Sequence, residues 1–286
     1  MPRLRLVALT ALTLIAFAAN SLLARAALVG GAIDAASFTL IRIASGALAL
    51  RLLVAWRSRA LRGPVGGCWA GGIWLATYAV AFSFAYLQLD AGLGTLLLFG
   101  AVQVTIIGYG IARGERPGLR DVLGALIAFG GLVVLVRPGL TAPPVLAAML
   151  MALAGIAWGA SSIIGRGDST PILSTAGNFL RALPVVLLAA LPTFTVAVLS
   201  PTGVALAVIS GALTSGLGYV AWYSVLPSLN AARASVLQLT VPLIAAAGGV
   251  ILLGEVITQR AVTAAVLILG GVALTLVRAR AAQGAQ

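Results

Sequence analysis

The chain has 286 residues, of which 61% are hydrophobic and 8% charged, and its mean hydropathy is +1.13. A soluble domain carries about 25% charged residues, so this composition excludes soluble globular packing. The net charge of +12 would suggest nucleic acid in a soluble protein, but all 18 cations are Arg gathered mainly at the ends of apolar runs, which points to membrane topology and no nucleic acid.

A helix needs about 20 predominantly apolar residues to cross the hydrocarbon core. The first such run is Leu6–Ala24, preceded by Arg3 and Arg5. Its basic start and the small-residue site Ala24-Arg25-Ala26 imitate a signal peptide, but the run exceeds the roughly 7–15 residues of an h-region. It is expected to stay as a helix. Ala35–Trp56, Gly67–Leu87, Ala91–Ile111 and Leu119–Val136 follow. A second set runs Pro144–Ile164, Pro171–Leu191, Thr202–Val225, Leu229–Leu253 and Ala261–Val277. Gly63-Pro64, Pro117-Gly118, Pro138-Gly139, Pro143-Pro144, Pro192 and Pro201 punctuate the gaps. The expected class is an all-α membrane protein of ten transmembrane helices.

Charge sets the orientation. With the N-terminus inside, the cytoplasmic segments hold Arg3, Arg5, Arg57, Arg59, Arg62, Arg113, Arg116, Arg120, Arg166, Arg278 and Arg280. The other side holds Arg25, Arg137 and Arg260. Excess positive charge marks the cytoplasmic face, and ten spans place the C-terminus there too.

The two halves align when Gly114-Glu115 is laid on Gly254-Glu255. Asp90 then falls on Asn230, Gly108 on Gly248, Arg120 on Arg260, and Gly130-Gly131 on Gly270-Gly271. Small register changes bring Asn20-Ser21 to Ser161-Ser162, Arg42 to Arg181, and Tyr78 and Phe82 to Tyr219 and Tyr223. Each half, 1–140 and 141–286, holds five spans, so the second enters the membrane inverted. Inverted repeats are a recurrent transporter device, with the solute site near the midplane between them.

The Gly-Glu after the fourth and ninth spans, Trp158-Gly159, Arg42, Arg181 and Pro242 together resemble the duplicated EamA unit of the drug/metabolite transporter superfamily. Val102, where the second half has Pro242, departs from strict symmetry. The resemblance is greatest to the YddG-type exporters of aromatic amino acids. It implies a secondary transporter in a bacterial inner membrane, exporting small aromatic or hydrophobic metabolites by alternating access.

Trp74, Tyr78, Phe82 and Tyr86 form one stripe on the third span. Trp69 and Tyr86, near its ends, are expected in an interfacial aromatic belt. Tyr78, Phe82, Tyr219 and Tyr223 lie deeper, as does Trp158. Either they line a cavity suited to aromatic solutes or they pack helices. Asn20, Ser21, Gln103, Ser161, Ser162 and Gln238 are polar groups at depth, which face a partner or a cavity. They suit the amino and carboxylate groups of a solute, or form interhelical hydrogen bonds worth about 0.6 kcal/mol. The candidate solute-binding set is Asn20, Tyr78, Phe82, Gln103, Trp158, Ser161, Tyr219, Tyr223 and Gln238.

Arg42 and Arg181 have no obvious intramembrane acid. Each could clasp a solute carboxylate or tie down the carbonyl ends of a neighbouring helix. Because both halves keep an Arg and one solute needs only one, structural clamps are expected there; Glu115 and Glu255, beside helix ends, are expected to pair with nearby Arg. Cys68, the single cysteine, reads as a small apolar filler, and Gly124, Gly130, Gly131 and their counterparts as packing positions. There is no His, no phosphate loop, and no nucleophile–base or carboxylate pair at depth. No catalysis, cofactor or metal is expected. The partners are a small-molecule solute and the lipid bilayer, with oligomeric state open. A proton-coupled exporter of cationic drugs is the competing reading, but it wants an intramembrane carboxylate. All six acids sit in loops or at helix ends, so transport is not expected to require a proton gradient.

Overall fold

The computed structural model describes residues 3–58, 65–114, 119–136, 143–165, 168–192, 197–225, 228, 237–238 and 240–283. Among these residues the regular structure is entirely helical. The helices are α1 (Arg3–Val29), α2 (Ala35–Ser58), α3 (Trp69–Ala85), α4 (Ala91–Ala112), α5 (Leu119–Val136), α6 (Val145–Ile164) and α7 (Pro171–Ala190). α8 is a composite rod: Pro201–Ile209 is α-helical, Ser210–Leu217 is π-helical, and Gly218–Val225 is α-helical again. α9 (Thr240–Leu253) and α10 (Gln259–Gln283) complete the order.

Among the described residues, six helical stretches are long and apolar enough to cross a bilayer: Leu4–Val29, Ala35–Arg57, Ala91–Ala112, Val145–Ile164, Pro171–Ala190 and Pro201–Trp222. The apolar stretches Trp69–Ala85, Val122–Leu135, Thr240–Leu253 and Gln259–Leu274 are shorter. A helix keeps its backbone hydrogen bonds to itself, the condition for lying in lipid.

Stops and starts have local causes. Gly114 and Gly254, at φ +86° and +67°, follow the ends of α4 and α9 in the left-handed conformation that glycine adopts without strain. Ser200 caps α8 by accepting from the Gly203 N–H at 3.0 Å. Cys68 does the same for α3, accepting from Gly71 at 3.3 Å. Cys68 is also exposed, which corrects the reading of it as an apolar filler: it lies just before the helix, where the first N–H groups need acceptors.

Two loop contacts tie the rods together. Asp34 begins α2 and accepts from the N–H of Ser37 at 2.9 Å and of Val198 at 3.1 Å. Burial works against its ionisation. Hydrogen bonds from Ser37, Val198 and Ala36 outweigh that and hold its carboxyl below the usual range. At the other clip, the Arg181 guanidinium donates to the Gly66 carbonyl at 2.7 Å, and Asn178 accepts from Cys68 N–H at 3.0 Å.

Packing follows the small residues. α5 lies along α10, α4 along α9, and α2 along α7. α3 touches α6 and α7, while α8 touches α1 and α2; α4 also meets α6, and α1 meets α9. Among glycines, Gly131 sits against Ile268 and Leu267, and a Cβ there would come within 2.8 Å of Ile268. A Cβ on Gly271 would come within 2.5 Å of the Gly124 carbonyl. Gly130 and Gly270, one residue away, have open space. They are not packing positions as expected, because they face away from the α5–α10 seam.

This adjacency gives a test. Gly131→Ala and Gly271→Ala should each lower stability by about 1–3 kcal/mol, the usual cost of overpacking. Gly130→Ala and Gly270→Ala should be neutral or stabilise by up to about 1 kcal/mol through helix propensity. Thermal unfolding of the four purified variants in detergent reads the difference. Equal behaviour of neighbours would contradict the seam.

Candidate functional site

The centre of the bundle is a polar knot inside an aromatic shell, built by α1, α2, α3, α6 and α8. The π-helical segment supplies most of its hydroxyls. Its sequence, Ser210-Gly-Ala-Leu-Thr-Ser-Gly-Leu217, is rich in residues that compete for backbone acceptors, and Thr214 Oγ1 donates to the Ser210 carbonyl at 2.7 Å. Gly211 lets α2 approach closely, since a Cβ there would overlap the Arg42 carbonyl and Ser45 Oγ.

Asn20 of α1 is the hub. Its Oδ1 accepts from Ser210 Oγ at 2.7 Å and from Ser215 Oγ at 3.5 Å, with Thr214 Oγ1, whose proton goes to the Ser210 carbonyl, 3.2 Å away. Its Nδ2 donates to Tyr78 Oη at 3.3 Å. Arg42 of α2 donates through Nη2 to the same Tyr78 oxygen at 2.9 Å, and through Nε to Ser215 Oγ at 3.3 Å. Its Cζ lies 4.7 Å from the Phe82 ring centroid and 5.1 Å from that of Tyr78. Arg42 is 1% exposed, and its Nη1 has no hydrogen-bond partner.

Aromatic rings continue outward from the knot. Tyr78 meets Phe82 at 5.3 Å and Trp158 at 5.1 Å; Trp158 meets Tyr219 at 4.9 Å; Tyr219 meets Phe17 at 5.9 Å and Phe179 at 6.1 Å. They surround a cavity of about 30 Å³ to which Asn20, Tyr78, Phe82, Trp158, Tyr219 and Gln238 all contribute. That is space for one or two waters. A second pocket of about 50 Å³ shares Trp158 and Tyr219 and reaches Ser161, Ser174 and Asp168 beside the α6–α7 loop. Its polar end is fixed by Asp168, whose carboxyl is held below the usual range by hydrogen bonds from Ser174 and Thr170 against some burial.

The opposite end carries an ionic knot beside a cavity of about 660 Å³ that Asp90 and Glu255 help to line. Arg25, at the end of α1, bridges Asp90 at 3.2 Å and Glu255 at 3.3 Å. It also donates to the carbonyls of Tyr86 at 3.1 Å and Leu87 at 3.4 Å. Glu255 takes the Ala91 N–H on both carboxylate oxygens at 2.9 Å. Below this knot Tyr86 is fully buried, its hydroxyl against Thr95 Oγ1 at 3.1 Å and the Ala91 carbonyl at 3.3 Å. The expected belt position of Tyr86 is therefore corrected. Burial beside two acceptors satisfies its hydroxyl without the interface, whereas Trp69 stays 59% exposed.

Six of the sequence candidates thus meet at one cavity: Asn20, Tyr78, Phe82, Trp158, Tyr219 and Gln238. Ser161 lines the adjoining pocket. Gln103 is buried on α4 but lines neither. The Tyr223 side chain and Glu115 lie outside the described residues. Arg181 sits at the Gly66 clip and Glu255 at the Arg25 knot, whereas Arg42 belongs to the centre. Sequence reasoning missed Phe17, Ser210, Thr214 and Ser215. The crowding of Ser, Thr and Gly within one apolar span was the available signal for the last three.

Apolar helices of membrane-crossing length around a central, partly polar cavity define a multi-pass membrane protein. Comparison with known proteins narrows the class. Residues 145–277 match the EamA-like transporter family. An uncharacterized protein of Pseudomonas aeruginosa is 51% identical over 276 residues, covering 96% of both chains. An uncharacterized transporter of Archaeoglobus fulgidus is 26% identical over 206 residues, 69% of this chain and 72% of that one. A crystal structure at 21% identity superposes with a TM-score of 0.64 over 94% of this chain and 97% of its own, a likeness of fold. The likeness to the EamA-like transporter family thus lies in the second half of the chain.

Proposed function

We propose that this chain is a secondary transporter of small aromatic or hydrophobic metabolites, amino acids foremost, working by alternating access between two inverted halves, 1–140 and 141–286. Ten membrane spans, both termini in the cytoplasm and a bacterial inner membrane complete the reading, with specificity like that of the YddG-type exporters. Aromatic enclosure of the central cavity carries it: Tyr78, Phe82, Trp158 and Tyr219 offer flat, apolar walls around a polar centre.

The packing supports the halves. Exchanging α1–α5 with α6–α10 turns α3–α6 into α8–α1, α3–α7 into α8–α2, and α4–α6 into α9–α1, all of them contacts the protein makes. α2–α7, α4–α9 and α5–α10 map onto themselves. Such a pattern is expected of a pseudo-two-fold axis in the membrane plane. The pocket beside the α6–α7 loop then opens toward the Arg-rich, cytoplasmic side, and the Arg25 knot closes the outside.

The competing reading, a proton-coupled exporter of cationic drugs, is disfavoured by charge. Among the described residues no carboxylate lines the central cavity, and the buried cation Arg42 stands behind its wall. In proteoliposomes, counterflow of a labelled aromatic amino acid should persist when a protonophore collapses the proton gradient. Tyr219→Ala should slow it at least tenfold. Loss of counterflow with the protonophore, in folded protein, would sink the gradient-independent mechanism.

A further inference from the structure

Among the described residues, Arg42 is the group in the centre whose bonding does not close. Three of its surroundings are settled: Tyr78 Oη accepts from Nη2, Ser215 Oγ accepts from Nε, and the faces of Tyr78 and Phe82 lie against the guanidinium. Nη1 carries two further N–H donors and has no partner, although the residue is 1% exposed. A buried donor left unpaired is rare, because nothing replaces the water it gave up. The charge is equally uncompensated. Asn20, Tyr78, Ser210, Thr214 and Ser215 are all neutral, and the described ion pairs lie in the distant Arg25 knot. Burying a cation without a counter-charge is costly.

Arg181, its counterpart in the second half, is bonded differently. It reaches the Gly66 carbonyl at 2.7 Å and is only half-buried. Two arginines at matching positions therefore do different work. One ties a loop, while the other leaves a charged donor beside a cavity that its own partners Tyr78, Phe82 and Ser215 help to line. With space for a water or two, that cavity must widen to admit any solute. Widening moves the rings that cover Arg42.

We propose that Arg42 is the anchor for a carboxylate on the transported solute, with Nη1 donating to it once Tyr78 and Phe82 part. The substrate class is small monocarboxylates bearing an aromatic or flat apolar group, and the amino group of an amino acid is dispensable. This rests on the transporter reading above and adds to it which end of the solute is recognised. Guanidinium groups bind carboxylates through paired N–H donors, an arrangement that a neutral amide or an ammonium cannot reproduce.

Four solutes of matched shape test it in proteoliposomes: L-phenylalanine, 3-phenylpropionate, 3-phenylpropionamide and 2-phenylethylamine. The wild-type protein should exchange both carboxylates at least tenfold faster than the amide or the amine. Arg42→Gln should bring the ratio of carboxylate to amide exchange down to about one. If Arg42→Gln does not fold, Arg42→Lys carries the test, with KM for 3-phenylpropionate rising about tenfold relative to KM for the amide. Equal exchange of amide and carboxylate by the wild type, or an undiminished carboxylate preference in both variants, overturns the anchor alone. Failure to exchange any of the four overturns the aromatic-solute reading, and the anchor with it.

Discussion

Asn20→Asp should stop transport while leaving the protein folded and more heat-stable than the wild type. The two hydroxyls that donate to Asn20 Oδ1, from Ser210 and Ser215, would find a carboxylate oxygen in its place. Tyr78 Oη, which accepts from both Asn20 and Arg42, would accept from Arg42 and donate to the new acid. Every hydrogen bond is thereby kept or replaced. The added charge meets an uncompensated cation within about 6 Å, an attraction on the order of 3 kcal/mol at an effective dielectric of 20. The same pairing would occupy Arg42 and exclude a solute carboxylate. Exchange should fall at least tenfold and thermal unfolding in detergent should move up by a few degrees. Asn20→Ala should do the opposite to stability, since stranded hydroxyls cost about 1–3 kcal/mol each. Wild-type exchange by a well-folded Asn20→Asp protein would show that the central charge has no part in transport.

Removing Arg25 should open the far end. Its guanidinium joins Asp90, Glu255 and two carbonyls of the turn after α3, so one side chain holds α1, α4 and the α9–α10 loop together. Leu89 is fully buried next to this knot. A Leu89→Cys reporter in a Cys68→Ser background should react with an impermeant maleimide at least tenfold faster after Arg25→Gln. Acid should act in the same direction. Burial raises the Glu255 carboxyl above its usual range; the Ala91 N–H and Arg25 pull it down and Asp90 pushes it up, leaving the net shift upward. Glu255 therefore takes up a proton at a pH where a free glutamate is still charged, and its hold on Arg25 weakens as pH falls through that raised value. Reporter labelling should rise over that window in otherwise wild-type protein, and Glu255→Gln should show the acid rate already at neutral pH. Labelling that ignores both changes would mean that the closure lies elsewhere.

The helices were legible in the sequence because lipid imposes long apolar runs with polar breaks. α5 matches its predicted span of Leu119–Val136, and Pro171 marks the first residue of α7. Local chemistry was legible less often. Tyr86 looks interfacial by position but is buried, because Thr95 and the Ala91 carbonyl come to it from the next helix. Cys68 is a cap only because α3 begins one residue later. The centre was partly visible as polar residues at depth, but the inequality of Arg42 and Arg181 was not. Arg42 owes its surroundings to Tyr78 on α3 and Ser215 on α8, contacts that no local pattern announces. The alignment that paired the two arginines in sequence gave no sign of their difference.

The π-helical stretch Ser210–Leu217 gives this architecture a further degree of freedom. Wider winding amounts to one residue more than an α-helix would hold over the same rise. Were the stretch to tighten, the half below it would turn by about 100° against the half above, the angle one residue subtends in an α-helix. Tyr219, now on the cavity wall, would swing to another face, and Ser210, Thr214 and Ser215 would slide out of register with Asn20. Rewinding of a single rod can thus gate the path, with the other helices standing still.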